Sequence, residues 1–161
     1  MTASEFNECV DLYADGLFRF ILKNVKDEER ARDVVQDTFE KVWQRVHEIR
    51  ADKAKSYLFT AAYHTMIDEI RKNKHTLTLE TEHDSVFHHN NQYNDLKKVL
   101  QLGLQKLNPV QRSVVLLRDY EGYSYEEIGE ITGLSSAQVK VYIFRARVFL
   151  KEYIGSMDKV L

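Results

Sequence analysis

Residues 123–150 read YSYEEIGEITGLSSAQVKVYIFRARVFL and decide the fold. Ser124 stands three residues before Glu127, and Ser135 three before Gln138, so each pair can close a capping box over the free N–H groups of a helix start. Gly133 falls where the first helix must stop and the chain must turn through a left-handed conformation, which costs a residue without Cβ little. Gly129 removes a side chain where the second helix crosses the first. In that second helix Val139, Ile143, Ala146 and Leu150 form an apolar stripe that packs inward. The other face offers Gln138, Lys140, Val141, Phe144 and Arg145, with Arg147 and Lys151 beyond, and no acid interrupts Ser136 to Lys151. Amide and guanidinium donors on an exposed helix suit the DNA major groove, where Gln pairs with adenine, Arg with guanine and Lys with phosphate. The pattern is that of a helix-turn-helix. A helical hairpin with a solvated charged face is the plainer alternative.

The whole chain is consistent with helices. Its 161 residues suffice for one domain or two small ones, 43% are hydrophobic, 30% are charged, and there is a single proline. No run of 18 apolar residues exists, and MTASEFNECV lacks the basic-then-apolar plan of a signal peptide, so a cytoplasmic location is expected, without membrane insertion. The lone Cys9 forms no internal disulfide and fits a reducing compartment. A net charge of -2 sits poorly with a free-standing DNA binder, which draws affinity from excess cations.

In the first half, Phe6, Val10, Tyr13, Leu17, Phe20 and Ile21 describe one long amphipathic helix, with Ser4 as its cap. After a break at residues 24–26, Asp27, Glu28 and Glu29 place negative charge at the start of a second helix, where the macrodipole favours it. That helix is expected to run to about Ile49 with Ala31, Val35, Phe39, Val42, Val46 and Ile49 inward. Asp33, Gln36, Asp37, Glu40 and Trp43 remain at the margin or outside. Trp43 either closes the core edge or offers an aromatic contact to a partner. A third helix, Ser56 to about Lys72, carries Leu58, Ala62, Met66 and Ile70 on one row, with Tyr57, Phe59 and Tyr63 besides, and ends in Arg71, Lys72 and Lys74. The terminal cations satisfy the helix dipole, and aromatics beside them also suit unpaired bases on a phosphate backbone.

Residues 76–93 are polar and aperiodic and read as a flexible linker. His83, His88 and His89 invite a metal, but no Cys partner or ligand spacing accompanies them, so no metal and no cofactor are expected. Leu96, Val99, Leu100, Leu104 and Leu107 restart a helix, and Asn108-Pro109 caps the next, whose inner row is Val110, Val114 and Leu117. The expected fold is all-α: two small helical domains, 1–75 and 94–161, joined by the 76–93 linker, the second ending in the helix-turn-helix.

DVVQDTFEKVW, residues 33–43, resembles the conserved region-two helix of the extracytoplasmic-function sigma factors, and residues 107–150 resemble their region four. The two matches come in the family's order with a polar linker between them. The resemblance implies a promoter-recognition factor for core RNA polymerase, and not an enzyme. It implies that Asp33, Gln36, Asp37, Phe39 and Trp43 grip the clamp helices of the polymerase. Tyr57, Tyr63, His64, Arg71 and Lys72 would read and hold the melted -10 element; Tyr57 and His64 stand near positions where the family commonly has Trp and Asn. Ser136, Gln138, Lys140, Val141, Phe144 and Arg145 would enter the -35 groove. The implied partners are core polymerase, promoter DNA and an anti-sigma protein, the free chain being a monomer. Other readings are a stand-alone helix-turn-helix activator and a metalloenzyme using the His83–His89 cluster.

Overall fold

Helix α1 (Ala3–Val25) opens on Thr2, whose hydroxyl accepts from Glu5 N–H while the Glu5 carboxylate accepts from Thr2 N–H. The cap is Thr2 and not Ser4, because only Thr2 has the acid three residues on. Among the described residues of this computed structural model, 1–76 and 92–158, there is no strand. Leu17, Phe20 and Ile21 of α1 are buried, as their spacing predicts, and Asn24 is buried with them. Lys26 ends the helix in a left-handed conformation.

Asp27 caps α2 (Glu28–Gln44) by accepting from Arg30 N–H. This helix stops at Gln44, short of the expected Ile49, and the chain continues through 3-10 turns at Val46–Glu48 and Ala51–Lys53. Its buried row is Ala31, Val34, Thr38 and Val42, so the inner face is turned by one residue from the expected one, and Val35 and Phe39 are half-buried. Thr38 enters the core because its hydroxyl donates to Val34 O at 2.7 Å, which satisfies it locally. Helix α3 (Ala54–Thr76) begins earlier and ends later than expected, with Leu58, Ala62 and Met66 buried.

The C-terminal half comprises α4 (Gln92–Lys106), α5 (Pro109–Asp119), α6 (Tyr125–Thr132) and α7 (Ser136–Asp158). Asn108 caps α5 as expected, its side chain accepting from Gln111 N–H at 2.8 Å with Pro109 in the first turn. Residues 112–117 of α5 are buried without interruption, so this helix is surrounded and not merely amphipathic. Most of the stretch read as a linker, with His83, His88 and His89, lies outside the described residues.

The two halves lie against each other. One continuous cluster of buried side chains runs from Leu17, Phe59 and Met66 into Leu104, Leu116, Tyr123 and Ile143. The closest packing across the seam is of α3 on α6 and of α1 on α5. This docking was not legible in the separate hydrophobic patterns, since each half reads as amphipathic on its own.

Candidate polymerase and nucleic-acid interfaces

On α2, Asp33, Gln36 and Asp37 are exposed on one face, spaced three and four residues apart. Asp37 pairs with Lys41 at 3.2 Å, both half in solvent, so the pair adds little to stability and leaves the carboxylate available. Trp43 is 48% exposed, and its ring lies 5.1 Å from that of Phe6, which also meets Phe39 edge-on at 6.2 Å. Phe6 of α1 thus props an aromatic platform beside the acidic row, and Trp43 presents its outer face to solvent.

On α3, His64, Arg71 and Lys72 are exposed and Tyr57 is half-buried. Tyr63 is not on that face. It is buried, with burial raising its phenol pKa, and lies on the row Phe59, Tyr63, Ile67, Ile70 that looks toward the C-terminal half. Phe59 packs against Tyr123 at 5.2 Å between ring centroids, and Ile67, Ile70, Arg71 and Lys74 line a groove with Asn108, Val110, Leu134 and Tyr142. Stacking of a base on Tyr63 is therefore blocked in this arrangement.

The helix-turn-helix forms as its sequence requires. Ser124 and Glu127 close one capping box, and Ser135 and Gln138 the other: Gln138 N–H donates to Ser135 Oγ at 3.1 Å and Ser135 N–H to Gln138 Oε1 at 3.0 Å. Gly133 takes φ of +80°, and a Cβ on Gly129 would meet Leu134 O at 2.8 Å. The close neighbour of Gly129 is the turn backbone, which fixes the helices' approach. Val139, Ile143, Ala146 and Leu150 are buried.

The outward face of α7 is more apolar than its donors suggested. Val141 and Phe144 are exposed, joined by Val148, while Lys140 and Arg145 flank them. Gln138's carbonyl oxygen is engaged in the cap, so its two-pronged pairing with adenine competes with the helix start. Ser136 stands at the helix start, half-buried. Arg147 is turned back to Asp119, with Nε–Oδ2 at 3.2 Å and Nη2–Oδ1 at 2.5 Å, and is not offered outward as a free donor.

Residues missed by the sequence reading lie at the seam between the halves. Arg19 of α1 grips Glu121 two-pronged, at 3.1 and 3.0 Å, and the Glu121 side chain is only 8% exposed. Lys23 places its ammonium 3.4 Å from the Tyr120 ring centre, and Lys55 sits 4.6 Å from that of Tyr123. Arg112 Nε donates to Asn24 Oδ1 at 2.9 Å, Ser113 Oγ to the same oxygen at 3.3 Å, and Gln105 Nε2 to Lys23 O at 2.8 Å. Burial alone pulls the Arg112 guanidinium down to about 10. Arg112 and Ser113 directly ahead of the apolar run 114–117 were the available signal, but sequence spacing does not tell which element they meet.

The chain matches the family model Sigma-70 region 2 over residues 9–76 and Sigma-70, region 4 over residues 97–150. Together, and in this order, the matches define a protein of the sigma-70 class. It is 30% identical over 150 residues to the ECF RNA polymerase sigma factor SigM of Bacillus subtilis, covering 90% of this chain and 92% of that one. It is also 30% identical to RNA polymerase sigma factor YlaC of the same organism, over 87% of this chain and 86% of that one. The fold is similar to that of the sigma factor RpoE in complex with the anti-sigma factor NepR from Bartonella quintana. That likeness has a TM-score of 0.78 and 26% identity, over 95% of this chain and 98% of that one. A TM-score of 0.72 relates it to CnrH in complex with the cytosolic domain of CnrY, over 94% of this chain and 88% of that one, at 24% identity. The chain belongs to the extracytoplasmic-function family of RNA polymerase sigma factors: it binds core RNA polymerase and directs promoter-specific transcription initiation. No described helix is long and apolar enough to cross a membrane, and no described cluster of His, Cys, Asp and Glu is arranged to hold a metal.

Proposed function

We propose that initiation by this chain divides between three surfaces. Asp33, Gln36, Asp37, Phe39 and Trp43 of α2 dock on the polymerase clamp, where a charged row beside a propped aromatic supplies both orientation and a desolvated anchor. Tyr57, His64, Arg71 and Lys72 of α3 hold the unpaired -10 strand, joined by Tyr63 when its face is uncovered. Ser136, Gln138, Lys140, Val141, Phe144 and Arg145 of α7 enter the -35 groove, with Val141 and Phe144 suited to thymine methyl groups and Lys140 and Arg145 to phosphate and guanine. The factor works in the cytoplasm, without catalysis or a cofactor of its own, and an anti-sigma protein restrains it.

The observation that carries this reading is the pair of independently built surfaces on one chain: the acid-and-tryptophan face of α2 and the doubly capped helix-turn-helix. A stand-alone activator needs only the second. The test is reconstituted transcription from a promoter library with core polymerase. Initiation at a defined promoter class that is lost with Trp43→Ala, while the variant keeps its helical spectrum, supports the reading. Promoter use that is indifferent to Trp43 removes the clamp assignment.

A further inference from the structure

A cleft of about 390 Å³ opens where the C-terminal ends of α1 and α3 meet α4 and α5. Its cations are Arg30, Lys74 and Arg112, and no described acid lines it. Arg112 is only 5% exposed. A guanidinium buried to that extent is ordinarily matched by a carboxylate. Here Nε and Nη1 meet only amide oxygens, Asn24 Oδ1 at 2.9 Å and Gln105 Oε1 at 3.4 Å, and Nη2 has no acceptor among the described residues. Nη2 is nevertheless not sealed in: of the described side-chain nitrogens and oxygens, the one both buried and unpartnered is the Tyr123 hydroxyl. The open space beside Arg112 is this cleft, so its free prong points to a way out.

The surroundings add positive charge to the cleft. Arg30 is balanced by Glu69 at 3.4 Å, and that carboxylate also accepts from Asn73 at 3.1 Å. Lys74 is exposed and, like Arg112, forms no ion pair among the described residues. Lys26, in its left-handed conformation at the end of α1, lies near enough that burial and the Arg112 charge lower its pKa. The charges of Arg112 and Lys74 thus stand unbalanced around an open recess of the size that small ligands occupy.

We propose that this cleft binds the phosphate group of a small phosphorylated molecule, with Arg112 Nη2 and the Lys74 ammonium as its donors and Val25 and Ile70 as an apolar wall for the rest of the ligand. A phosphate monoester carries close to two negative charges at neutral pH, which matches the imbalance. The guanidinium takes one phosphate oxygen in a directed bond, and the ammonium supplies a point charge to another. Arg112 lies too far below the surface for the backbone of a duplex to reach it. None of these residues is among those assigned to the polymerase, the -10 strand or the -35 groove, and the site does not rest on that assignment.

The test is isothermal titration calorimetry of the full chain at low salt, with inorganic phosphate, AMP and adenosine as separate titrants. Phosphate and AMP are expected to bind at one site per chain, AMP the more tightly, and adenosine to give no detectable binding. AMP at about ten times its dissociation constant should raise the melting temperature by about 3–6 °C. Arg112→Leu should weaken AMP binding about tenfold or more, the loss of a hydrogen bond to a charged group. Lys74→Glu, at an exposed position, should also weaken it several-fold, whereas Lys74→Arg should retain it. Helical circular dichroism identifies any variant that fails to fold, and if Arg112→Leu does, the two Lys74 variants carry the decision. Absence of phosphate and AMP binding in wild type, or AMP binding that neither Arg112→Leu nor Lys74→Glu alters, overturns the site. Displacement of AMP by a short single-stranded oligonucleotide of randomised sequence, itself bound less tightly by Lys74→Glu, would assign the cleft to the nucleic-acid surface and overturn the small-ligand reading.

Discussion

Arg112 of α5 donates its Nε–H to Asn24 Oδ1 of α1 at 2.9 Å, across the seam between the two halves and out of contact with solvent. The two partners are not equivalent. Removing Asn24 leaves a buried charge without its best acceptor, whereas removing Arg112 leaves a neutral amide still held by Ser113 and by its own bond to Phe20 O. Asn24→Leu should therefore cost about 3 kcal/mol or more, and Arg112→Leu about 1 kcal/mol. Urea unfolding of both variants checks the order; the reverse order contradicts the assignment.

The same guanidinium sets a pH expectation. Burial lowers its folded-state value to about 10, so the folded chain binds this proton less tightly than the unfolded chain. Stability is lost as pH falls from the ordinary arginine range to about 10, and below that both states hold the proton and the penalty is constant. Wild type and Arg112→Leu should then show parallel stability curves between about pH 6 and 9. Curves that converge or cross in that window would contradict a permanently charged seam.

Gly129→Ala tests the geometry of the helix-turn-helix. The added Cβ would sit 2.8 Å from a backbone oxygen, Leu134 O, which has no flexible side chain to yield. Forced displacement of the turn should cost about 1–3 kcal/mol, as overpacking does. A calorimetric melt with no loss of stability would show that the turn adjusts freely.

Two surfaces can be separated by substitution. Asp37→Lys reverses the charge of the α2 row and should weaken core-polymerase binding by about 2 kcal/mol or more with the fold intact. Arg145→Ala should leave core binding unchanged and lower use of a -35-dependent promoter by about 1–3 kcal/mol. Titrated pull-down and promoter assays on both variants give the result; a crossed pattern, with Asp37 affecting only the promoter and Arg145 only the polymerase, would reverse the assignments.

Local structure was legible because it is written in local spacing. Both capping boxes, the Asn108 cap, the left-handed Gly133 and the inner stripe of α7 depend on residues within four positions of each other. The inner face of α2 was misplaced by one residue because Thr38, polar by type, bonds its own helix and buries. The docking of the halves was invisible for a different reason. Its partners, Arg19 with Glu121 and Asn24 with Arg112, are separated by 102 and 88 positions, and nothing in either helix's period names the other. The burial of Tyr63 was invisible for the same cause: its row is aromatic enough for bases, and the ring that meets Phe59 of that row, Tyr123, lies far along the chain. Gln138 was given two roles by sequence, cap and base reader, and the structure places its carbonyl oxygen in the cap.

The net charge of -2 on the whole chain, with cations gathered on α7 and at the end of α3, gives little general attraction for duplex DNA. A single helix-turn-helix adds no second half-site, and specific binding must come from joining two weak contacts on the polymerase. Fluorescence anisotropy of a labelled promoter duplex at near-physiological salt, with and without core enzyme, measures this directly. Weak binding with little sequence preference by the free chain, becoming tight and promoter-specific on addition of core polymerase, is the expected result. Tight, sequence-specific binding by the free chain, unchanged by core enzyme, would contradict it.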